Sequence, residues 1–415
     1  MLKDTEKYRW LFPEEVQQQN EDVGQMDQYL VYGDDYQDIR EAVAKAVLED
    51  SVQEIEDTCQ RCTAPPRRRT LYVLLAIFRE VTSLYRAANT GLHPAPKQCQ
   101  ALEDFIEGSR YLNRKEVRDF AKELVHNRMG GLSVLADRSS VEHTLIELAV
   151  HMAAVLLTGT EGLLTPLQQL GLSPNNMLSA FLPTMPEDML SVAQRLITAN
   201  KVDYGLSWYS CPNGHPCVVD KCGRPTHKAK CLECRAEIGG ENHVPLTGFQ
   251  KMELQQGDLT RTGHILGDPQ RRDNPDTLDT KNMSLTPFIL VRLLTHLAML
   301  RGASEQPKSI QQIIQPPVQD ACEFLICHLL KDMDQLTKAL GKGTDDTVTT
   351  VHLIVRSILE PPPTNQWPAG FDPQLSTKEA RNTWETTVAT DIITPQLKVN
   401  PFGEYFQLAS TAQRD

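Results

Sequence analysis

The sequence predicts a mainly α-helical protein in which helical domains flank a small zinc-bound module. Apolar residues recur at helical spacing along most of the chain, and no alternating pattern typical of strands appears in residues 36–200. Residues 207–243 hold five of the ten cysteines and three histidines, a density that indicates a zinc site. The composition is globular, with 40% hydrophobic, 23% charged and 6% aromatic residues.

The length and charge of the chain predict the number of domains and argue against some classes of protein. A chain of 415 residues predicts two or three domains with sizeable cores. The net charge of −12 argues against a protein that coats nucleic acid, although a local basic patch stays open. The first ten residues carry charges where a signal peptide has its apolar core, and the apolar runs 71–78 and 148–157 are too short to span a bilayer. We therefore expect a cytoplasmic chain with reduced cysteines and no transmembrane segment.

The N-terminal half predicts an irregular lead-in over residues 1–35 and a helical domain over residues 36–200. Helical periodicity places helices at residues 38–48, 70–87, 98–110, 114–128, 140–158 and 186–199. The prolines of the TAPPRRR segment, residues 63–69, interrupt the pattern. Cys59 and Cys62 have metal-site spacing, but no second pair lies nearby, so we expect solvent-exposed structural thiols.

The C-terminal half begins with the cysteine-rich module, residues 205–246. A long loop over residues 247–284 follows, because periodicity is lost there and turn pairs recur. Helical spacing returns in a domain over residues 285–360. Residues 361–415 predict a proline-rich linker, a short helix near residues 377–392 and a tail. We expect the two helical regions to pack as one body.

The cysteine spacing predicts a closed tetrahedral zinc site. Cys231-x2-Cys234 is half of such a site, since a tight turn aims both thiolates at one metal. The other half must come from Cys211, His215, Cys217 or Cys222. Cys211 and His215 are the best pair, because Pro-Asn-Gly between them supplies a turn. A site with four protein ligands leaves no position for water activation.

This assignment leaves Cys222 as a candidate nucleophile. Lys221 and Arg224 flank it, and Lys228 and Lys230 follow shortly after. Such a positive field, with a glycine next in the chain, favours an accessible thiolate. An incidental surface thiol and a fourth zinc ligand are the alternatives, and the spacing does not decide between the three.

Several of these motifs resemble known families. CPNGHPC, CGRP, CLEC and the segment from IGG to His243 resemble the RZ-type zinc finger. Beyond the finger, the chain resembles the mysterin family, giant ubiquitin ligases with a dynein-like AAA core, over nearly its whole length to about residue 390. The segments that carry this second resemblance are MDQYLVYGDDY, TGHILGDPQRRD, VRLLTHLAML and STKEARNTWE.

The resemblance implies a C-terminal portion of such a ligase, without the AAA motor or the RING. It implies Zn²⁺ on Cys211, His215, Cys231 and Cys234, and it implies that Cys222 accepts ubiquitin from a ubiquitin-conjugating enzyme. The acceptors implied are proteins or bacterial lipopolysaccharide, hence a role in innate antimicrobial immunity in the cytoplasm, on lipid droplets or at bacterial surfaces. From proximity in sequence we infer His243, and secondarily His227, as the general base. The tail after about residue 393 diverges from the family.

Two other classes stay open at this point. A non-catalytic zinc module would bind protein or nucleic acid through its basic residues, Lys221, Arg224, Lys228 and Lys230. A zinc hydrolase would need only three protein ligands, a metal-bound water and a nearby carboxylate. Glu233 and Glu237 are the candidates for that carboxylate.

Overall fold

The chain folds into two compact units. A computed structural model describes residues 27–49, 52–86, 94–135, 138–185, 207–213, 216–219, 223–231, 235–252, 260–265, 283–359 and 371–398. Residues 1–185 and 262–415 cluster as one unit, which we call the helical body, and residues 186–261 form the second, the finger unit. The mainly α-helical class is confirmed, and the two helical regions pack as one body.

The N-terminal part of the helical body is a run of helices. A 3₁₀ turn, Gln28–Tyr32, comes first. The helices that follow are α1 Asp34–Glu49, α2 Gln53–Arg61, α3 Pro66–Arg86, α4 Pro96–Gly108, α5 Lys115–Val125, α6 Ser140–Thr158 and α7 Thr165–Leu172. α6 begins at a capping box, in which the Ser139 hydroxyl accepts the Glu142 N–H and the Glu142 carboxylate accepts the Ser139 N–H.

The C-terminal part completes the body. Its helices are α8 Leu285–Glu305, α9 Pro307–Ile313, α10 Ala321–Leu340, α11 Thr344–Leu359, α12 Lys378–Thr387 and α13 Thr394–Lys398. A π-helical turn, Val388–Ile393, joins the last two.

Two long apolar helices form the centre of the core. α8 packs against α10, α7 and α6, while α6 also contacts α3 and α11. By length and composition alone both would qualify as membrane spans, but 78% of the apolar window of α6 and 83% of that of α8 are buried inside the body. A helix that is apolar on all sides is typical of such a core position.

A pair of buried histidines joins the two parts of the body. The rings of His151 on α6 and His352 on α11 stack 4.9 Å apart, and their Nδ1 atoms lie 2.8 Å apart. The Tyr32 hydroxyl lies 2.7 Å from Nε2 of His151. Burial lowers the pKa of both imidazoles, that of His352 to about 3, so both rings are neutral. One Nδ1 must therefore donate and the other accept.

The chain leaves the helical body and returns to it at adjacent points. Phe181 forms a parallel β-bridge with Gly263, and the Gly263 N–H donates to the Ala180 carbonyl at 2.7 Å. Strand β7, His264–Ile265, then pairs in parallel with β8, Ile314–Gln315. Residues 186–261 are therefore an insertion between two neighbouring points of one helical body.

In the N-terminal region one prediction is wrong, and one predicted helix starts earlier than expected. Cys59 and Cys62 are buried in the core rather than exposed, because α2 packs against α1, and burial raises the pKa of Cys59 to about 12. The helix predicted from residue 70 begins at Pro66, since proline is favourable at the first helical position. The helix predicted at residues 186–199 lies outside the described residues.

Candidate zinc finger site

The first half of the finger is a small antiparallel sheet. Its strands are β1 Ser207–Ser210, β2 Pro216–Val219 and β6 Gln250–Lys251, in the order β2-β1-β6. β1 and β2 pair antiparallel, with Tyr209 opposite Cys217 and Ser210 opposite Pro216. Cys211, the first residue of the predicted C-x3-H half, therefore directly follows the first strand of this pair.

Cys211 has the environment of a structural zinc ligand. It follows β1 directly and is only 2% exposed. Its Sγ accepts the backbone N–H of Asn213 at 3.3 Å. A hydrogen bond donated to sulfur stabilises the thiolate, which is the form that binds zinc.

The second half repeats this plan with another sheet. Its strands are β3 Lys228–Lys230, β4 Glu237–Glu241 and β5 Val244–Pro245. Cys231 follows β3 and is 1% exposed. Its N–H donates to the Ala236 carbonyl at 2.8 Å and its carbonyl accepts the Arg235 N–H at 3.0 Å, with Arg235 at φ +60°. These two hydrogen bonds place Cys231, the first cysteine of the C-x2-C motif, at the start of a tight turn between β3 and β4.

Two adjacent glycines allow the second sheet to close. Gly239 has φ +92°, and a Cβ there would lie 2.0 Å from the His227 carbonyl oxygen. A Cβ on Gly240 would lie 2.1 Å from the Val244 carbonyl oxygen. Since both obstacles are backbone atoms, only glycine fits, which explains the IGG sequence of β4.

The apolar core of the finger is small. In the described part of residues 207–252, the buried hydrophobic side chains are Tyr209, Cys211, Cys231 and Phe249. Tyr209 and Phe249 stack with ring centroids 4.8 Å apart. So small a core does not normally stabilise a domain without metal or disulfides. Among the described residues neither Cys211 nor Cys231 is in a disulfide, so a metal fits these two residues better than a disulfide.

The Tyr209 hydroxyl connects the first sheet to the segment after Cys222. It donates to the Gly223 carbonyl at 3.1 Å. Gly223 is buried with φ +65°, a conformation that favours glycine. We did not predict this contact from the sequence, although the aromatic residues before Cys211 were a visible signal. Cys222 itself lies outside the described residues, as do His215 and Cys234.

His243 occupies the tip of the turn between β4 and β5. It is exposed, with φ +68°, and Asn242 before it has φ +49°. Glu241 pairs with Val244 across this two-residue loop, which is therefore a type I′ hairpin turn. The turn presents the imidazole to solvent, and the role of His243 as general base stays a prediction.

The basic residues of β3 face acidic residues of β4. Lys228 forms an ion pair with Glu241 at 2.8 Å, and Lys230 pairs in register with Glu237. These carboxylates offset the positive charge of the strand. The pairing therefore weakens the case for a phosphate-binding surface on β3.

Comparisons with known proteins agree with this geometry. The RZ type zinc finger domain family matches residues 198–251. Human E3 ubiquitin-protein ligase RNF213 is 44% identical over 406 residues, which cover 96% of this chain and 8% of the ligase. The rnf213-beta ligase of Danio rerio is 33% identical over 96% of this chain and 8% of its own length. A mouse NFX1-type zinc finger-containing protein 1 is 29% identical over 25% of this chain and 5% of its own length. RNF213 is also called mysterin, so the resemblance is confirmed.

Proposed function

This chain is a relative of the RNF213 E3 ubiquitin-protein ligases along nearly its whole length, and from that premise we propose that it takes part in ubiquitin transfer. The chain spans 8% of the length of the human ligase. We propose that the RZ-type finger supplies the transfer chemistry without a RING. The match of the finger family to residues 198–251 is the observation that carries this proposal.

The proposed reaction is transthiolation through Cys222. Its thiolate attacks the thioester carbonyl between ubiquitin and a conjugating enzyme, and the enzyme's cysteine leaves as a thiolate that takes up a proton. Ubiquitin is then held as a thioester on Cys222. An acceptor amine or hydroxyl attacks this carbonyl, gives its proton to a base such as His243, and releases the Cys222 thiolate.

The described contacts suit a loop that must present a reactive thiol. Gly223, the neighbour of Cys222, is held by the Tyr209 hydroxyl, and Tyr209 lies two residues before Cys211. Zinc on Cys211, His215, Cys231 and Cys234 would supply rigidity to both turns. Preorganisation of this kind lowers the cost of bringing the thiolate to the carbonyl.

We further propose a cytoplasmic site of action, with proteins or bacterial lipopolysaccharide as acceptors and a role in antimicrobial immunity. A non-catalytic zinc module that binds protein or nucleic acid is the second candidate. The similarity of 25% of this chain to an NFX1-type zinc finger-containing protein favours it.

A single-turnover discharge assay tests the proposal. The zinc-loaded chain is mixed with ubiquitin-charged conjugating enzymes and run on non-reducing gels. We expect a reducible ubiquitin adduct that Cys222→Ala abolishes and the control Cys217→Ala retains. Cys222→Ser should form an ester adduct that resists thiols but not hydroxide. An adduct that survives Cys222→Ala would exclude Cys222, and no adduct from the zinc-loaded, folded chain would favour the binding module.

A further inference from the structure

A cavity of about 330 Å³ opens in the helical body, and all the residues that line it belong to that body. Four parts of the body line it, namely the first 3₁₀ turn, the start of α3, the end of α11 and the segment from the π-helical turn into α13. The polar side chains in its wall are Tyr32, Arg68, Tyr72, Arg356, Ser357 and Asp391. Its volume lies at the lower end of the range for ligand pockets, about 300–1,000 Å³.

Two arginines supply positive charge to this cavity. Arg68 and Arg356 come from helices far apart in sequence, and both are half-buried. Both lie close enough to the Tyr32 hydroxyl to lower its pKa against the effect of burial. The Tyr32 hydroxyl lies 2.7 Å from Nε2 of His151, and this imidazole is neutral because burial lowers its pKa. Asp391 is the negative side chain of the lining.

The arginines are held by their neighbours. Nη1 of Arg356 donates to the Val31 carbonyl, which orients its guanidinium. Arg68 hydrogen-bonds the Tyr72 hydroxyl. On the opposite side, one Asp391 oxygen accepts the Thr390 hydroxyl at 2.8 Å. Charged groups oriented before a ligand arrives lose little entropy when they bind it.

We propose that this cavity binds a small phosphate monoester that carries hydroxyl groups, such as a sugar phosphate. The planar guanidinium groups of Arg68 and Arg356 match phosphate oxygens in charge and shape. Asp391 repels a bare phosphate ion but accepts hydroxyl hydrogen bonds. The lining therefore selects a phosphate joined to a hydroxylated body over inorganic phosphate or a neutral sugar.

Isothermal titration of the 415-residue chain tests this site. Ribose 5-phosphate should bind more tightly than inorganic phosphate, and ribose should not bind. Arg68→Gln should weaken binding of ribose 5-phosphate by about tenfold, because a charge-assisted hydrogen bond contributes on that order. Arg67→Gln is the matched control, since Arg67 is exposed on the same helix and does not line the cavity.

A second variant tests the role of the carboxylate. Asp391→Asn should strengthen the binding of inorganic phosphate and reduce the preference for ribose 5-phosphate. Thermal melting of each variant separates a loss of binding from a loss of fold. Equal weakening by Arg67→Gln and Arg68→Gln, or no saturation by ribose 5-phosphate below about 10 mM, would overturn the proposal.

Discussion

At the scale of single residues, removal of the Tyr209 hydroxyl should weaken zinc binding. Tyr209→Phe keeps the stack on Phe249 but leaves the buried Gly223 carbonyl without its partner. An unpaired buried carbonyl costs about 1–3 kcal/mol. We therefore expect zinc affinity, measured by competition with a chelator, to fall by about tenfold. Unchanged affinity would show that the loop after Cys222 does not depend on this contact.

The raised pKa of Glu123 should make the free energy of unfolding depend on pH. Burial and the neighbouring Glu305 raise the pKa of Glu123 to about 7, while one of its oxygens lies 3.9 Å from Arg301, beyond hydrogen-bonding distance. Between pH 4.5 and about 7 the carboxyl of Glu123 is protonated in the folded state but ionised in the unfolded state. The free energy of unfolding should therefore fall as the pH rises through this range.

Glu123→Gln should remove this penalty. An amide can still donate to Glu305, so we expect the variant to be more stable at pH 8 by on the order of 1 kcal/mol after allowance for solvent screening, and no different near pH 4. Urea unfolding at the two pH values measures this. Glu116→Gln, at an exposed position on the same helix, is the control. A gain of equal size at both pH values would contradict the assignment.

Pairs of residues that are close in sequence could be predicted, whereas pairs that are distant in sequence could not. Cys211 and Cys231 were predicted as zinc ligands because their spacing is local, and both are buried directly after strands. The stack of His151 on His352 joins residues 201 positions apart, and no local pattern indicates it. The positions of the remaining predicted ligands stay predictions.

At the scale of elements, β4 has no room for a Cβ at Gly239 or Gly240. Gly239→Ala places a Cβ against the His227 carbonyl and disfavours the positive φ. We expect the variant to lose bound zinc, measured by atomic absorption, while the body keeps its helical circular dichroism. Gly343→Ala is the control, because a Cβ there meets open space. Full zinc content in Gly239→Ala would mean that the sheet tolerates rearrangement.

Helices were predicted well where their signals are local. The helix predicted at residues 140–158 is α6, Ser140–Thr158, because capping oxygens stand at its start and apolar residues follow. The burial of Cys59 and Cys62 was missed, since it depends on which helix faces α2 in three dimensions. Strands as short as β7 and β8 have no periodicity to detect, and their pairing depends on the body around them.

At the scale of the whole molecule, the finger unit is an insertion that the body should not need. The chain leaves near Phe181 and returns at the adjacent Gly263. Replacement of residues 186–261 by a short Gly-Ser linker should leave one cooperative melting transition of the body, with its midpoint changed by only a few degrees. Calorimetry measures this. Loss of that transition would show that the finger unit holds the two helical regions together.

The contact between α6 and α11 also bears on synthesis at the ribosome. His352 is synthesised 201 residues after His151, so the face of α6 that packs against α11 is covered only then. At about 5–20 residues per second, that delay is roughly 10–40 s. During this time an apolar face of α6 is exposed in the nascent chain, which makes it a substrate for chaperones that bind hydrophobic segments.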